Sequence, residues 1–275
     1  MKLLSKIYIA VIFLLLYAPV IVMVVFSFNS SNSLSEFTGF SFRFYSEAFN
    51  NSKVIGAFKN TLILAVITAA VSGVLGTAAA VGISRMRSRY LRKSLLSVTN
   101  IPMMNPDIVT GVSMMLLFVF VGRMLSMQTS LSFWTMLIAH ITFSLPYVIL
   151  SVMPKIKQMD KHLPEAAMDL GCTPLMSFFK VELPCILPGV ISGMLMAFTL
   201  SLDDFVISYF VKGTGFETLP IYIYSAVKKG VRPTLYAANT IIVLVVLVLL
   251  ILINFVGNKD NNQRIKNRSK KRIEN

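Results

Sequence analysis

The chain has 275 residues, and its composition excludes an ordinary soluble protein. Hydrophobic residues make up 55% of it and charged residues only 14%, whereas about a quarter of an average soluble domain is charged. So high an apolar content excludes a disordered chain, and only two cysteines exclude a disulfide scaffold. The net charge is nevertheless +14. Because long uncharged runs separate the basic residues, we expect a membrane protein with basic edges and no nucleic-acid partner.

Six apolar segments are each long enough to cross a bilayer, which takes about 20 residues. In chain order they cover residues 7–28, 61–84, 95–121, 131–152, 188–211 and 235–257. Two lysines precede the first segment, as in a signal peptide. Its apolar run is too long for one, however, and no cleavage site follows, so we interpret it as a membrane anchor. The sequence thus predicts an all-α membrane protein with six transmembrane helices.

The distribution of Lys and Arg predicts how these helices are oriented, because basic residues favour the cytoplasmic side. With the N-terminus inside, 18 of the 26 Lys and Arg residues fall in inner segments. We therefore expect both termini in the cytoplasm. The basic tail, residues 258–275, is expected to meet anionic lipid at the membrane surface.

One inner segment, residues 153–187, is too long for a simple turn and mixes charged with apolar residues. Pro164 followed by Glu165 is typical of a helix start, and Gly171 is typical of a helix end. Residues 175–181 predict a second short helix with apolar residues on one face. Physical reasoning alone leaves open whether these helices lie in the lipid interface or dock on a soluble partner.

The same segment carries the spacing E-A-A-x3-G-x9-V-x-L-P, which resembles the EAA motif of type I ABC importer permeases. A valine stands where that family usually has isoleucine. In the family, this motif forms a coupling helix that sits in a cleft of the ATP-hydrolysing subunit. The resemblance therefore implies an ATPase-docking role for the motif residues, which are Glu165, Ala166, Ala167, Gly171, Val181, Leu183 and Pro184.

The resemblance covers nearly the whole chain and is greatest to the spermidine/putrescine importer permeases, in particular to their C-type subunit. The stretches that carry it are residues 103–113, 139–148, 198–211 and 219–233. It implies the six-helix type I permease fold in three parts. These are an N-terminal helix with an outer loop (1–59), the permease core (60–257) and the basic cytoplasmic tail (258–275).

The resemblance also implies a set of partners and a location in the bacterial inner membrane. Such permeases work in pairs, which in polyamine systems are two different subunits, together with an ATPase dimer and an extracytoplasmic polyamine-binding protein. The chain has no G-x-x-x-x-G-K-[ST] motif, so we expect no cofactor and no catalytic residue in it, and ATP is left to the ATPase subunits. Cys172 and Cys185 lack the spacing of a metal site and are expected to be reduced thiols.

Ionisable residues inside apolar segments usually face the protein interior or water. The four in this chain are Asp107, His140, Asp203 and Asp204. Three carboxylates without a Lys or Arg suit a cationic cargo. Asp203 and Asp204 are expected to line the pathway, or alternatively to cap a helix break or bind basic residues of a partner chain. Asp107 follows two prolines that predict a kink, so it either caps a half-helix or lines the pathway, whereas His140 is expected to be a hydrogen-bonded packing residue.

Aromatic rings near the outer and middle parts of the spans could hold ammonium groups and methylene stems of a polyamine. Trp134, Tyr147 and Tyr209 are the candidates, although Trp and Tyr also collect at membrane interfaces as anchors. Two alternatives to polyamine import stay open. One is the same machine with another cargo, and the other is a secondary transporter or channel that uses Asp107, His140 and Asp203 for ion or proton flow.

Overall fold

The computed structural model describes residues 2–31, 36–126, 131–160, 162–229, 234–248 and 251. Apart from an isolated bridge between Asn29 and Phe40, the regular structure of these residues is helical. The helices are α1 (Lys2–Phe26), α2 (Arg43–Asn50), α3 (Ser52–Ser84), α4 (Arg89–Met104), α5 (Asp107–Met124), α6 (Phe133–Gln158), α7 (Leu163–Asp169), α8 (Pro174–Ser177), α9 (Leu183–Asp203), α10 (Val206–Val211), α11 (Leu219–Lys228) and α12 (Thr234–Val248). One π-helical turn, Phe178–Glu182, joins α8 to α9.

The chain forms two compact units. One comprises the described residues of Met1–Lys59 and Glu217–Leu247, and the other those of Asn60–Phe216 and Val248–Asn275. In the first unit, α1 is apolar on all sides, and none of its most apolar window is buried within the protein. A helix that is hydrophobic all round and unburied by protein is suited to contact with lipid.

Side-chain hydrogen bonds stabilise the segment that follows α1. The buried Asn29 side chain donates to the Glu36 carbonyl at 2.7 Å and accepts from the Thr38 amide at 3.0 Å. The Ser27 and Tyr45 hydroxyl groups lie 2.7 Å apart and tie α2 to the end of α1. Buried polar groups are costly unless they are paired, so these bonds define one conformation for the segment.

The core of the second unit lies where α6 packs along α9. Gly189 and Gly193 are one turn apart on α9 and face α6. A Cβ at Gly193 would come within 3.0 Å of the Val148 Cα, and one at Gly189 within 2.9 Å of the Ser151 carbonyl oxygen. Small residues at this spacing let two membrane helices approach closely. The buried residues that surround the contact are Ala80, Ile83, Val148, Ile149, Val152, Met153, Ile186, Val190 and Ala197.

The third predicted span, residues 95–121, is wrong as a single helix. The structure ends α4 at Met104, extends the chain at Asn105 (ψ 142°) and begins α5 after Pro106. Proline disfavours a helical conformation in the residue before it and lacks a backbone donor. The predicted proline break is therefore confirmed, and the segment is two helices rather than one bent helix.

The fifth predicted span, residues 188–211, is also two helices. Helix α9 ends at Asp203, the backbone is extended at Asp204 (ψ 121°), and α10 begins at Val206. In the other direction α9 begins before the predicted span, at Leu183. The aspartate pair thus lies at a helix break rather than inside a continuous helix.

Within the described residues, five helices are long and apolar enough to cross a membrane. They are Lys6–Ser27, Ser52–Ser84, Asp107–Met124, Phe133–Gln158 and Pro174–Asp203. The sixth predicted span is described only as α12, and its remaining residues lie outside the described part of the chain, as does the basic tail. The multi-pass α-helical architecture is confirmed, whereas the count of six spans is not.

Candidate functional site

We call residues 153–187 the EAA segment. It contains helix α7, whose start and end are each determined by residues next to them. Pro164 occupies the first turn of α7, where its missing donor is not needed. At the other end Gly171 has φ +89° and donates to the Met168 carbonyl, while Cys172 donates to the Ala167 carbonyl. This pair of bonds is a Schellman motif, which requires a left-handed residue. The predicted helix start and glycine stop are therefore confirmed.

The predicted second helix, residues 175–181, is wrong as a separate element. Thr173 caps α8 by accepting from the Met176 amide, and the helical path then continues through the π turn into α9 as far as Asp203. Pro184, in the first turn of α9, has no amide to donate to a carbonyl four residues earlier. The Leu183 amide instead bonds to the Phe178 carbonyl five residues back. The L-P pair of the motif thus lies where the inner segment joins the membrane helix.

The EAA segment exposes large apolar side chains at its turn. Leu170 is 87% exposed and Leu175 is 73% exposed. The Glu165 carboxylate is also exposed, with its Oε2 at 3.1 Å from the His162 Nδ1, whereas Ala167 is buried against the rest of the unit. Clustered exposed apolar groups beside an exposed carboxylate are typical of a protein-binding surface.

An ion pair that the sequence analysis missed anchors this segment. Glu182 lies between the motif residues Val181 and Leu183, and its side chain is only 8% exposed. It binds the Arg85 guanidinium, directly after the end of α3. A buried carboxylate needs such a partner. The Glu at the variable position of V-x-L-P was the available signal, but nothing local to it indicates a partner 97 residues away.

Asp204 caps α10 at the helix break, which we define as residues 203–206. Its carboxylate accepts hydrogen bonds from the Ile207 amide at 3.3 Å and from the Ser208 amide at 2.7 Å. An Asp at this position satisfies the free amides of a helix start. The geometry therefore matches the alternative that the sequence analysis gave for Asp204, a cap at a helix break.

His140 joins three helices through a buried polar network. Its Nδ1 lies 2.7 Å from the Ser201 Oγ on α9, and its Nε2 lies 2.9 Å from the Ser208 Oγ on α10. The same Nε2 is 3.5 Å from a carboxylate oxygen of Asp204. The prediction of a hydrogen-bonded packing residue is confirmed. Its partners, however, are on helices that are distant in the sequence, and they are not the neighbouring residues Thr142 and Ser144.

Asp203 differs from its neighbour because its side chain is exposed. It is the last residue of α9, and the C-terminal end of a helix carries partial negative charge. A carboxylate in that position is electrostatically unfavourable unless a cation lies nearby. The helix break therefore presents one exposed carboxylate, Asp203, beside one that caps a helix, Asp204.

Asp107 is the first residue of α5, not its N-cap, which is Pro106. Of the two alternatives given for Asp107, the N-cap of a half-helix is therefore wrong. Its carboxylate still lies favourably in the first turn. It is exposed and close enough to the Tyr147 hydroxyl of α6 to interact with it electrostatically. Two of the predicted pathway residues thus lie within electrostatic range of each other.

The other predicted aromatic residues are distributed over the second unit. Tyr209 on α10 packs against Phe205, with ring centroids 5.5 Å apart, and the Lys212 ammonium lies 5.9 Å from its ring centroid. Trp134 lies near the start of α6, 13 residues before Tyr147, which is about 20 Å along a helix. Trp134 is exposed and contacts Phe133. The structure therefore does not bring Trp134 and Tyr147 together.

The fold is shared with solved membrane subunits of ABC importers. Two crystal structures of a bacterial alginate ABC transporter, one of them in complex with an alginate-pentasaccharide-bound periplasmic protein, match this chain with TM-scores of 0.71 and 0.72. Each match covers 94–95% of both chains at 18–19% identity. The architecture is therefore that of a type I ABC importer permease.

The sequence comparisons identify the family. Residues 72–259 match the family described as "Binding-protein-dependent transport system inner membrane component", and the chain belongs to this family. It is thus a transporter permease subunit of an inner-membrane transport system. This assignment confirms the resemblance found in the sequence and rules out a secondary transporter or channel that works alone.

Individual relatives are similar over most of their length. The putrescine transport system permease protein PotI of Escherichia coli K12 is 39% identical over 231 residues, which are 84% of this chain and 82% of that protein. The spermidine/putrescine transport system permease protein PotC of Haemophilus influenzae is 38% identical over 251 residues, covering 91% and 95%. A PotC homolog of Mycoplasma pneumoniae is 31% identical over 255 residues.

Proposed function

We propose that this chain is the permease subunit of an ATP-driven polyamine importer, and that it lines the path of putrescine or spermidine through the membrane. The printed names of its relatives support this cargo. So does the sign of the ionisable groups in its apolar segments, because a polyamine is a cation with two or more ammonium groups separated by methylenes.

The observation that carries the proposal is the helix break. It offers the exposed Asp203 carboxylate at the negative end of α9, while Asp204 is occupied as a cap. An ammonium group beside Asp203 would relieve the unfavourable charge, as membrane transporters use half-helix ends to bind ions. Tyr209 on α10, whose ring already has the Lys212 ammonium nearby, supplies an aromatic face for a cationic stem.

Asp107 and Tyr147 form the second part of the proposed pathway. The exposed Asp107 carboxylate and the half-buried Tyr147 ring would bind the other ammonium group by a charged hydrogen bond and a cation–π contact. Trp134, about 20 Å along α6 from Tyr147, is assigned to the outer entrance or to anchoring in the interface. The cargo of the alginate transporter is an acidic polysaccharide, which these carboxylates would repel.

The EAA segment is proposed to dock an ATPase subunit. Its exposed Leu170 and Leu175 would enter a cleft of the ATPase, and Glu165 would bind a basic group there. The motif residues Ala166 and Ala167 allow a close approach and internal packing. Gly171 forms the turn, and Val181, Leu183 and Pro184 connect the docked segment to α9.

The complete machine contains a second, different permease, an ATPase dimer and an extracytoplasmic polyamine-binding protein. Both termini of this chain are proposed to lie in the cytoplasm of a bacterial cell, on the same side as the EAA segment. ATP is bound only by the ATPase subunits. Its binding would bring the two docked segments together and open the pathway outward, and hydrolysis would reset it.

The test is uptake of radiolabelled putrescine and spermidine by a polyamine-transport-deficient strain that expresses the chain with its partner subunits. We expect Asp203→Asn to lower uptake about tenfold or more, because a hydrogen bond to a charged group contributes about 1.5–3 kcal/mol. Asp169→Asn is the matched control, since it removes an exposed carboxylate from α7 and leaves the helix break intact.

Three outcomes separate the parts of the proposal. A selective loss in Asp203→Asn supports both the cargo and the pathway. Equal uptake by both variants removes Asp203 from the pathway but retains the cargo. Absence of any ATP-dependent polyamine uptake in the wild type, with the ATPase still bound, rejects the cargo.

A further inference from the structure

A cavity of about 560 Å³ lies beside the EAA segment in the second unit. The end of α3, the start of α4, the end of α6 and helix α7 contribute to its wall, and the π turn closes it with Glu182. The docking role proposed above uses Leu170, Leu175 and Glu165; of these only Glu165 lines the cavity, and the cavity itself has no assigned occupant.

Three basic side chains from separate elements line the cavity: Arg85, Arg92 and Lys157. Arg85 is engaged by the buried Glu182. Neither Arg92 nor Lys157 forms an ion pair within the described residues. Arg92 is half-buried, so its charge is partly withdrawn from water. The Glu165 carboxylate also lines the cavity, so three basic and two acidic side chains leave its lining with one net positive charge. A cavity with net positive charge attracts an anion.

The remaining wall is mixed: Leu96, Met153 and Ile156 are apolar, and Ser84, Glu165 and Ser177 are polar. The adjoining α4 buries none of its residues. Its apolar side chains Leu91 and Val98 are about 60% exposed, as expected for a helix that lies in the membrane interface with basic residues at one end. The site therefore combines basic and apolar groups and adjoins a helix suited to lipid.

We propose that this cavity binds the phosphate headgroup of an anionic phospholipid from the leaflet that contacts the EAA segment. The phosphodiester lies between Arg92 and Lys157, and the glycerol and first methylenes lie against Leu96 and Ile156. Basic pockets at the cytoplasmic ends of membrane helices suit such headgroups. The inference depends on the proposed function only for the cytoplasmic placement of this face.

The lipid also has a consequence for coupling. Glu165 lines the same cavity from α7, and Met153 and Ile156 belong to α6, which ends next to it. A headgroup held between α4 and α6 fixes the frame on which α7 is mounted. Bound lipid is therefore expected to support ATP hydrolysis coupled to the binding protein.

The experiment uses the complete purified transporter in nanodiscs of phosphatidylcholine with or without phosphatidylglycerol, and native mass spectrometry counts the phosphatidylglycerol retained. The test variant is Arg92→Gln with Lys157→Gln. The matched control is Arg87→Gln with Lys93→Gln, which removes the same charge from exposed positions in the same part of the chain that do not line the cavity. We expect affinity for phosphatidylglycerol to fall about 25-fold in the test variant, or roughly fivefold per basic residue, and to change little in the control.

Several results would overturn the proposal. Equal losses in both variants would mean a diffuse basic surface without a site, and equal retention would mean no lipid site. Binding of inorganic phosphate to the delipidated transporter at the same two residues would make it a site for a soluble anion. Loss of ATPase association with unchanged lipid retention would assign the two cations to the ATPase. Because lipid retention needs no transport, failure of polyamine uptake leaves this result interpretable.

Discussion

The EAA segment and the helix break both consist of one helix end followed by a new helix start, yet they are stabilised differently. In the EAA segment the caps are local: Gly171 closes α7 and Thr173 begins α8. At the helix break the cap residue Asp204 lies against His140, whose Nε2 is 3.5 Å from its carboxylate and which is 64 positions away along the chain. The first region leaves its side chains free for a partner, whereas the second uses them to maintain an interrupted membrane helix.

The comparison predicts that a surface change in the EAA segment will abolish transport and leave the fold intact. We expect Glu165→Arg to reduce uptake to background, because it reverses the charge of an exposed side chain in the proposed docking surface. Its contact with His162 is exposed on both sides, and pairs of this kind contribute little to stability. Uptake and membrane abundance of the variant should be measured together.

Asp169→Arg is the matched control for this prediction. It reverses a charge at the other end of the same helix, where a basic residue is favourable, and it does not alter a motif position. If Asp169→Arg abolished uptake as fully as Glu165→Arg, the effect would belong to the charge of the whole surface and not to the motif. Normal uptake by Glu165→Arg would reject docking through this residue.

The difference between the two regions also explains what could be predicted from the sequence. The start of α7 at Pro164 and its end at Gly171 were predictable, because proline and glycine determine the backbone within a few residues. The interruption near Pro106 was predictable for the same reason. The length of the apolar segments likewise indicated the membrane helices, because the thickness of the bilayer sets the number of apolar residues that a spanning helix needs.

The sequence offered the helix break only as one alternative for the aspartate pair, because no proline or glycine marks residues 203–206. The partners of the Asp204 carboxylate are the Ser208 amide on α10 and His140 on α6, which is far away in the sequence. The same applies to Glu182, whose partner Arg85 lies 97 residues away. The spacing of Gly189 and Gly193 was a signal for close helix packing that the sequence analysis did not use.

The second prediction concerns the stability of the helix break. We expect His140→Ala to lower the free energy of unfolding by about 2–3 kcal/mol, since it leaves the buried Ser201 and Ser208 hydroxyls without a partner. The measurement is the unfolding midpoint of the detergent-purified subunit pair. Thr142→Ala on the same helix is the control, because its hydroxyl bonds only to its own helix and should change stability by a few tenths of a kcal/mol.

A normal unfolding midpoint for His140→Ala would mean that Asp204 keeps the break without its network. The contrast with the EAA segment would then disappear, since both regions would depend on local caps alone. The expected result instead includes reduced uptake at raised temperature, because loss of the network frees α10 and displaces Asp203.

The smallest expected effect comes from comparing Gly171→Ala with Gly215→Ala, which impose the same backbone strain at two different places in the chain. Gly171 and Gly215 have nearly the same φ, +89° and +88°, and a Cβ at either would meet no atom within 4 Å. Alanine at either position therefore costs about 1–2 kcal/mol through the left-handed conformation alone, and we expect similar falls in unfolding midpoint.

Only Gly171→Ala should also reduce ATP hydrolysis stimulated by the binding protein, because Gly171 sets the path from α7 to α8, whereas Gly215 lies in the connection between α10 and α11. Equal loss of stimulation in both variants would show that the EAA segment is sensitive to stability in general and has no special geometry at Gly171.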